Sequence, residues 1–137
     1  MIPKNRFVVD TNILISQLLL PTSVPGRAFR RALFSGILLV SEETLQELTD
    51  VLMRKKFDSY LTLGERQEFL RQLSFVVEIM LYVIPLTACR DSKDDKFLSL
   101  AVSGHAHFLL TGDKDLLILD PFKEVRILTC SAYLEEE

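Results

Sequence analysis

Four acidic side chains, Asp10, Glu47, Asp94 and Asp113, each fall just beyond an apolar run of strand length or on the helix that follows one. If those runs are parallel strands of one sheet, their carboxyl ends share an edge, and ligands of open α/β sheets gather there. Carboxylates brought within a few ångströms raise one another's pKa and cannot all stay ionised without a compensating cation. A divalent ion is the natural counter-charge, and an all-oxygen donor set selects a hard one, Mg²⁺ or Mn²⁺. Such ions activate water and stabilise phosphoryl oxygens, so the chemistry within reach is in-line displacement at phosphorus.

Each carboxylate also has a plainer use. An Asp after a strand often caps a helix or forms a turn, but Thr11 and Asn12 directly follow Asp10 and can hydrogen-bond its carboxylate. Glu43 lies one turn before Glu47 on nearly the same helix face, and spacing does not choose between them. Asp91, Asp94 and Asp95 crowd a helix start, where negative charge is favourable in any case. In Thr111-Gly112-Asp113-Lys114-Asp115 one Asp is expected only to cap a short helix, and Asp113 stands nearer the strand end. His105 and His107 precede a strand, away from the acidic edge, and are given no catalytic part.

The elements that must position these groups read as alternating strands and helices, the pattern of βαβ units around a parallel sheet. Phe7-Val8-Val9 is a buried strand, and Asn12 to Leu20 a short helix stopped by Pro21. Pro25 opens a second helix, which buries Ala28, Phe29, Ala32 and Leu33, ends at Gly36 and leads to a strand over Ile37 to Val40. Ser41 caps a helix through about Arg54, with Leu45, Leu48, Val51 and Leu52 inward. Thr62-Leu63-Gly64-Glu65 is a capping box opening a helix in which Phe69, Leu70, Leu73, Val76, Val77 and Met80 keep a helical period. A strand is expected near Tyr82 to Ile84, and Asp91 or Ser92 caps a helix that Gly104 ends. A strand at Phe108 to Leu110, a short helix around Leu116 to Leu119, a strand at Val125 to Leu128 and a helical turn complete an α/β fold.

A chain of 137 residues, 48% hydrophobic and 26% charged, fits a single globular domain over positions 1–137. Sixteen basic against nineteen acidic residues leave a net charge of −3, which argues against a broad basic surface that grips nucleic acid by charge alone. Cys89 and Cys130 have no zinc-site spacing and are expected to be free thiols. The segment Met1 to Arg6 lacks the features of a secretion signal, and the apolar stretch Phe75 to Leu86 is too short to span a bilayer. A cytoplasmic location is therefore expected. No repeat or linker interrupts the chain before its acidic end, Glu135-Glu136-Glu137.

Taken together, the motifs resemble those of PIN-domain proteins, near the VapC-like toxin components of toxin–antitoxin pairs. The likeness rests on Val8-Val9-Asp10-Thr11-Asn12, on Ser41-Glu42-Glu43 through Glu47-Leu48 to Arg54-Lys55-Lys56-Phe57, on Arg90 to Leu98 with Ala101, and on Leu110 to Leu116. It covers nearly the whole chain and implies a single α/β/α sandwich with a central parallel sheet. It further implies a metal-dependent endoribonuclease in which Asp10, Glu47, Asp94 and Asp113 hold Mg²⁺ or Mn²⁺ and Thr11, Asn12 and Thr111 support them. Counting back seven residues from Ala101 in the family pattern selects Asp94, with Asp95 adjacent as the rival. An ion-activated water is then the nucleophile, and no side chain becomes covalently attached.

RNA contacts on an acidic protein require a local basic group. Arg27, Arg30 and Arg31 form one stripe, and Arg54, Lys55 and Lys56 cluster at a helix end, where cations are favoured anyway. A mean hydropathy of +0.22 is high for a small chain and points to apolar surface covered in a homodimer or by an antitoxin. Two other readings compete: a non-catalytic RNA-binding or protein-interaction module of the same fold, and a phosphoacceptor or phosphatase using Asp10. The latter calls for an acidic residue two positions on, where Asn12 stands.

Overall fold

A computed structural model describes residues 5–136. Met1 to Lys4 of the amino-terminal reading, and Glu137 of the acidic end, lie outside the described residues. β1 (Asn5–Val9) passes into α1 (Thr11–Leu19) at Asp10, whose carboxylate accepts the Ile13 N–H at 3.1 Å and caps the helix. Ser23 caps α2 (Val24–Ser35), with Pro25 in its first turn, and Gly36 opens β2 (Gly36–Ser41). Ser41 and Thr44 cap α3 (Glu42–Leu52) reciprocally, and a 3₁₀ turn (Lys55–Phe57) follows. The Thr62/Glu65 capping box opens α4 (Leu63–Ser74), which precedes β3 (Val77–Met80). A second 3₁₀ turn (Ser92–Asp94) runs into α5 (Asp95–Ser103), then β4 (Phe108–Leu110), α6 (Lys114–Leu117), β5 (Arg126–Leu128) and α7 (Cys130–Glu135).

The five strands lie parallel in the order β3-β2-β1-β4-β5. Successive side chains of a strand point to opposite faces, so a sheet covered on both sides reads as a continuous apolar run. Phe7, Val9, Leu38, Val40, Phe108 and Leu110 pack on the side of α1, α2, α3, α4 and α7. Val8, Leu39, Leu109 and Ile127 pack on the other, against Phe97, Leu98, Leu100 and Ala101 of α5 and Leu116 of α6. The result is an α/β/α sandwich with every strand's carboxyl end on one edge.

One expectation fails. The strand expected at Tyr82 to Ile84 lies instead at Val77–Met80, and the helix expected to run to Met80 stops at Ser74. Val76, Val77 and Met80 fit a helical period and a half-buried strand equally well over so short a span. Pairing decides: Leu38 to Ser41 take Val77 to Met80 in register, and Arg6 reaches across β2 to grip Glu78 at 2.9 and 2.7 Å. The chain from Leu81 to Arg90 then runs as an irregular strap whose N–H groups bond to α5 side chains. Ile84 donates to Ser103 and Leu86 to Ser99, both at 2.9 Å, while Ala88 and Cys89 donate to Asp95 at 3.1 and 2.8 Å.

Candidate metal centre

Succession leads outward from β1 through β2 to β3 on one side and from β4 to β5 on the other, so strand order reverses between β1 and β4. A crevice opens at such a reversal. Asp10 leaves β1 and Asp113 follows β4 there, joined by the Asp10 N–H, which donates to the Leu110 carbonyl at 3.1 Å. Thr111, with no exposed surface, links the two acids: its hydroxyl donates to Asp10 Oδ2 at 2.5 Å and accepts the Asp113 N–H at 3.0 Å. Burial pushes the Asp10 carboxyl up, while the Thr111 hydroxyl and the Ile13 and Asn12 N–H groups pull it back.

Asp94 reaches the same crevice from the 3₁₀ turn before α5. Burial first, then Asp113 within hydrogen-bond reach, then the charges of Asp113, Asp91 and Asp10, push its carboxyl up to about 7. Its Oδ2 is buried and has no hydrogen-bond partner among the described residues. Two ionised carboxylates share no hydrogen, so neither acid satisfies the other, and a proton or a cation would satisfy that oxygen. Carboxylate oxygens of Asp94, Asp113 and Asp115 lie within 4.8 Å of one another. The donors are all hard oxygens, and the orphaned Asp94 oxygen faces like charge; both features fit a divalent cation such as Mg²⁺ or Mn²⁺.

Glu47 stands on α3 with both oxygens engaged, accepting the Thr11 hydroxyl at 2.5 Å and the Lys96 ammonium at 2.7 Å. Thr11 therefore serves Glu47, not Asp10 as its position in the chain had suggested, and Asp10 takes its hydroxyl donor from Thr111. Glu43 lines a separate groove beside Met80 and Leu86. Asp95 points to the Ala88 and Cys89 N–H groups and fixes the strap. Asp91 caps the 3₁₀ turn through the Lys93 N–H at 3.0 Å. Asn12 is exposed in the groove between Asp10, Ser16 and Asp113. Asp113 itself caps α6, accepting the Asp115 N–H at 2.8 Å, so capping and clustering fall on one residue.

Two members of the site escaped sequence reasoning. The sequence leaves one of two neighbouring acids only a capping role, yet Asp113 caps and clusters at once, and Asp115 joins the cluster as well. Lys96 gave no signal, since its partner Glu47 is 49 positions away in the chain.

The basic groups divide by place. Arg31 donates to the Leu134 and Glu136 carbonyls at 2.9 and 2.7 Å and lies over the Tyr133 ring, and Arg30 bonds to the Pro21 carbonyl. Arg27 is exposed and makes no ion pair among the described residues, two positions beyond Pro25, which lines the groove with Asp10 and Asp113. Arg54, Lys55 and Lys56 follow the far end of α3, roughly 15 Å along the helix from the acidic edge.

The raised carboxyls set a pH dependence. The folded pKa of Asp94, about 7, exceeds its ordinary value of 3.8, so the folded state holds a proton more tightly than the unfolded state. That contribution is whole below the ordinary value and is lost as pH rises through about 7. In EDTA the melting temperature is expected to fall by several degrees between pH 5 and pH 8, and Asp94→Asn should flatten the fall; parallel slopes for both proteins would contradict this assignment.

A family model described as PIN domain matches residues 6–115. The uncharacterized protein MJ1680 of Methanocaldococcus jannaschii is 32% identical over 120 residues, covering 85% of this chain and 76% of its own. Among solved structures, VapBC2 from Rickettsia felis, crystallised bound to a DNA fragment from their promoter, matches with a TM-score of 0.60 at 14% identity, over 90% of this chain and 98% of its own. PAE2754 from Pyrobaculum aerophilum matches with a TM-score of 0.57, also at 14% identity, over 91% of this chain and 92% of its own. At such identity these two likenesses speak to the fold.

Proposed function

Because this chain belongs to the PIN-domain family, we propose that it is a divalent-cation-dependent endoribonuclease, folded as one domain over 1–137, and the toxin of a toxin–antitoxin pair. The observation that carries the reading is the acidic crevice at the β1/β4 reversal, where Asp94 has a buried oxygen with no donor among the described residues, as a bound cation would require. Asp10, Glu47, Asp94 and Asp113 hold the Mg²⁺ or Mn²⁺ ion in this reading, with Asp115 in the same cluster. When bound, the ion supplies Lewis acidity to a water molecule and counter-charge to the phosphate oxygens.

The chain's own residues do the rest. Thr111 orients Asp10 and fixes the Asp113 backbone, so two carboxylates are preset by one buried hydroxyl. Thr11 orients Glu47 in the same way. Neither Asp10 nor Glu47 is placed as a nucleophile, because both have their oxygens committed to donors. Arg27, which is exposed and, unlike Arg30 and Arg31, has no side-chain hydrogen bond or ion pair among the described residues, is the cation of this stripe assigned to a substrate phosphate. Replacing Arg27 with Ala should weaken RNA binding several-fold and lower its salt slope by about one, whereas replacing Lys55 and Lys56 should do much less. Equal losses from the two variants would move the RNA path to the far end of α3.

An exposed apolar surface supports a protein partner. Phe75 at the end of α4, and Leu81, Tyr82 and Ile84 of the strap, are all more than 70% exposed. That apolar edge, beside a likeness to a toxin–antitoxin complex, suits an antitoxin or a second copy of this chain. Among the described residues no helix is long and apolar enough to cross a membrane, which accords with work on RNA in the cytoplasm.

The test is cleavage of mixed-structure RNA by purified protein in Mg²⁺, in Mn²⁺ and in EDTA. Cleavage that EDTA stops and either ion restores is expected. Mn²⁺ binding without cleavage would instead establish a non-catalytic RNA-binding or interaction module.

A further inference from the structure

Lys96 is the basic residue that pairs with an acid of the centre among the described residues. Its ammonium lies 2.7 Å from Glu47 Oε1 and 2.9 Å from the Lys93 carbonyl, and its side chain is only 13% exposed. The backbone beneath it is fixed as well, because the neighbouring Asp95 is bonded to two N–H groups of the strap. On its other side Glu47 accepts the Thr11 hydroxyl, so Glu47 offers an arriving cation no uncommitted oxygen. Among the described residues no ammonium or guanidinium pairs with Asp94 or Asp113, which cluster with Asp115.

We propose that Lys96 is an internal competitor of the divalent cation for Glu47, a positioning residue that sets how weakly the centre holds its ion. The inference rests on the cation-dependent reading above. Two effects act in the same direction. The ammonium repels an ion seated at Asp94 and Asp113, and it occupies a carboxylate oxygen that the ion would otherwise recruit. Lysine suits this part because its charge is compact and its stem flexible, so it can yield Glu47 without disturbing the fold. A centre that grips its ion less tightly makes occupancy responsive to the free cation concentration.

The sign of the effect separates this role from ordinary structural support. Loss of a supporting residue weakens a metal site, whereas loss of a competitor tightens it. Mn²⁺ affinity, measured by calorimetry and by the free-ion paramagnetic resonance signal with no RNA present, is expected to rise about tenfold in Lys96→Met, one unit of charge at short range being enough. Lys96→Arg, which keeps the charge, should stay within about twofold of the parent. In the Lys96→Met/Glu47→Gln double variant the gain should vanish, since the released carboxylate is gone. Should Lys96→Met fold poorly by circular dichroism, Lys96→Gln makes the same comparison with a neutral polar side chain.

Asp94→Asn is the companion control and should lose Mn²⁺ binding. If Asp94→Asn loses it while the neutral variants at position 96 bind Mn²⁺ no more tightly than the parent, the competitor role is overturned and the metal centre stands. A gain that survives in the double variant also overturns it, because the effect then does not pass through Glu47. If neither the parent nor any variant binds Mn²⁺, the metal centre itself fails, and this inference with it.

Discussion

The Asp10→Asn protein is expected to lose RNA cleavage by a factor of about 10³, while its melting temperature in EDTA stays level or rises. Asn keeps the size of the side chain, and its carbonyl oxygen can go on accepting the Ile13 N–H that caps α1. The Thr111 hydroxyl can rotate to accept from the new amide. What disappears is the charge. Burial works against the ionised Asp10, and the charge of Asp113 adds to the strain, so removing it relieves the metal-free fold. Catalysis needs that same charge as counterpart to a cation. Loss of function with no loss of stability marks a residue kept for chemistry. Matched melts and a cleavage time course decide it. Wild-type cleavage by the Asp10→Asn protein would remove Asp10 from the mechanism, and a drop of several degrees in melting temperature would make it a structural cap.

Much of the fold was legible because local chemistry and tertiary packing agree. The apolar runs Phe7 to Val9, Ile37 to Val40 and Phe108 to Leu110 lack polar interruption because both faces of the sheet are covered. The Thr62/Glu65 capping box marked the start of α4 to the residue, since that motif is satisfied within a single turn. β3 was misplaced because local pattern could not separate strand from helix over Val76 to Met80. The deciding terms, register with β2 and the grip of Arg6 on Glu78, belong to distant parts of the chain.

The candidate site divides along the same line. Carboxylates after strands, or on the helices that follow them, show in a linear reading, so Asp10, Glu47, Asp94 and Asp113 are legible in the sequence. The family likeness names Thr11 and Thr111 as supports but not which acid each serves, because each donor comes from another segment: Thr111 serves Asp10 across 101 positions, and Thr11 serves Glu47 across 36. The adjacent threonine looked like the natural partner of Asp10. A side chain at the start of a helix, however, is aimed by the helix and not by its neighbour in sequence, and α1 turns Thr11 toward α3.

Thr111→Val should reverse the pattern of Asp10→Asn, lowering stability by about 2–4 kcal/mol and cation affinity by about 10–100-fold. Valine matches threonine in shape, so the fully buried site is refilled and only the hydroxyl is lost. Two groups then lose partners at once: Asp10 Oδ2 loses its donor, and the Asp113 N–H loses its acceptor. Each is costly where water cannot replace the partner. The deficit should widen as pH rises, because the Thr111 hydroxyl is one of the groups holding the Asp10 carboxyl down and the ionised form depends on it most. Thr111→Ser, which keeps the hydroxyl and drops a methyl, should recover most of the cation affinity. Urea unfolding at two pH values and Mn²⁺ titration read all three effects. An unchanged urea midpoint in the valine variant would mean that the two acids are held by the backbone of β1 and β4 alone, and that the buried hydroxyl does not link fold to site.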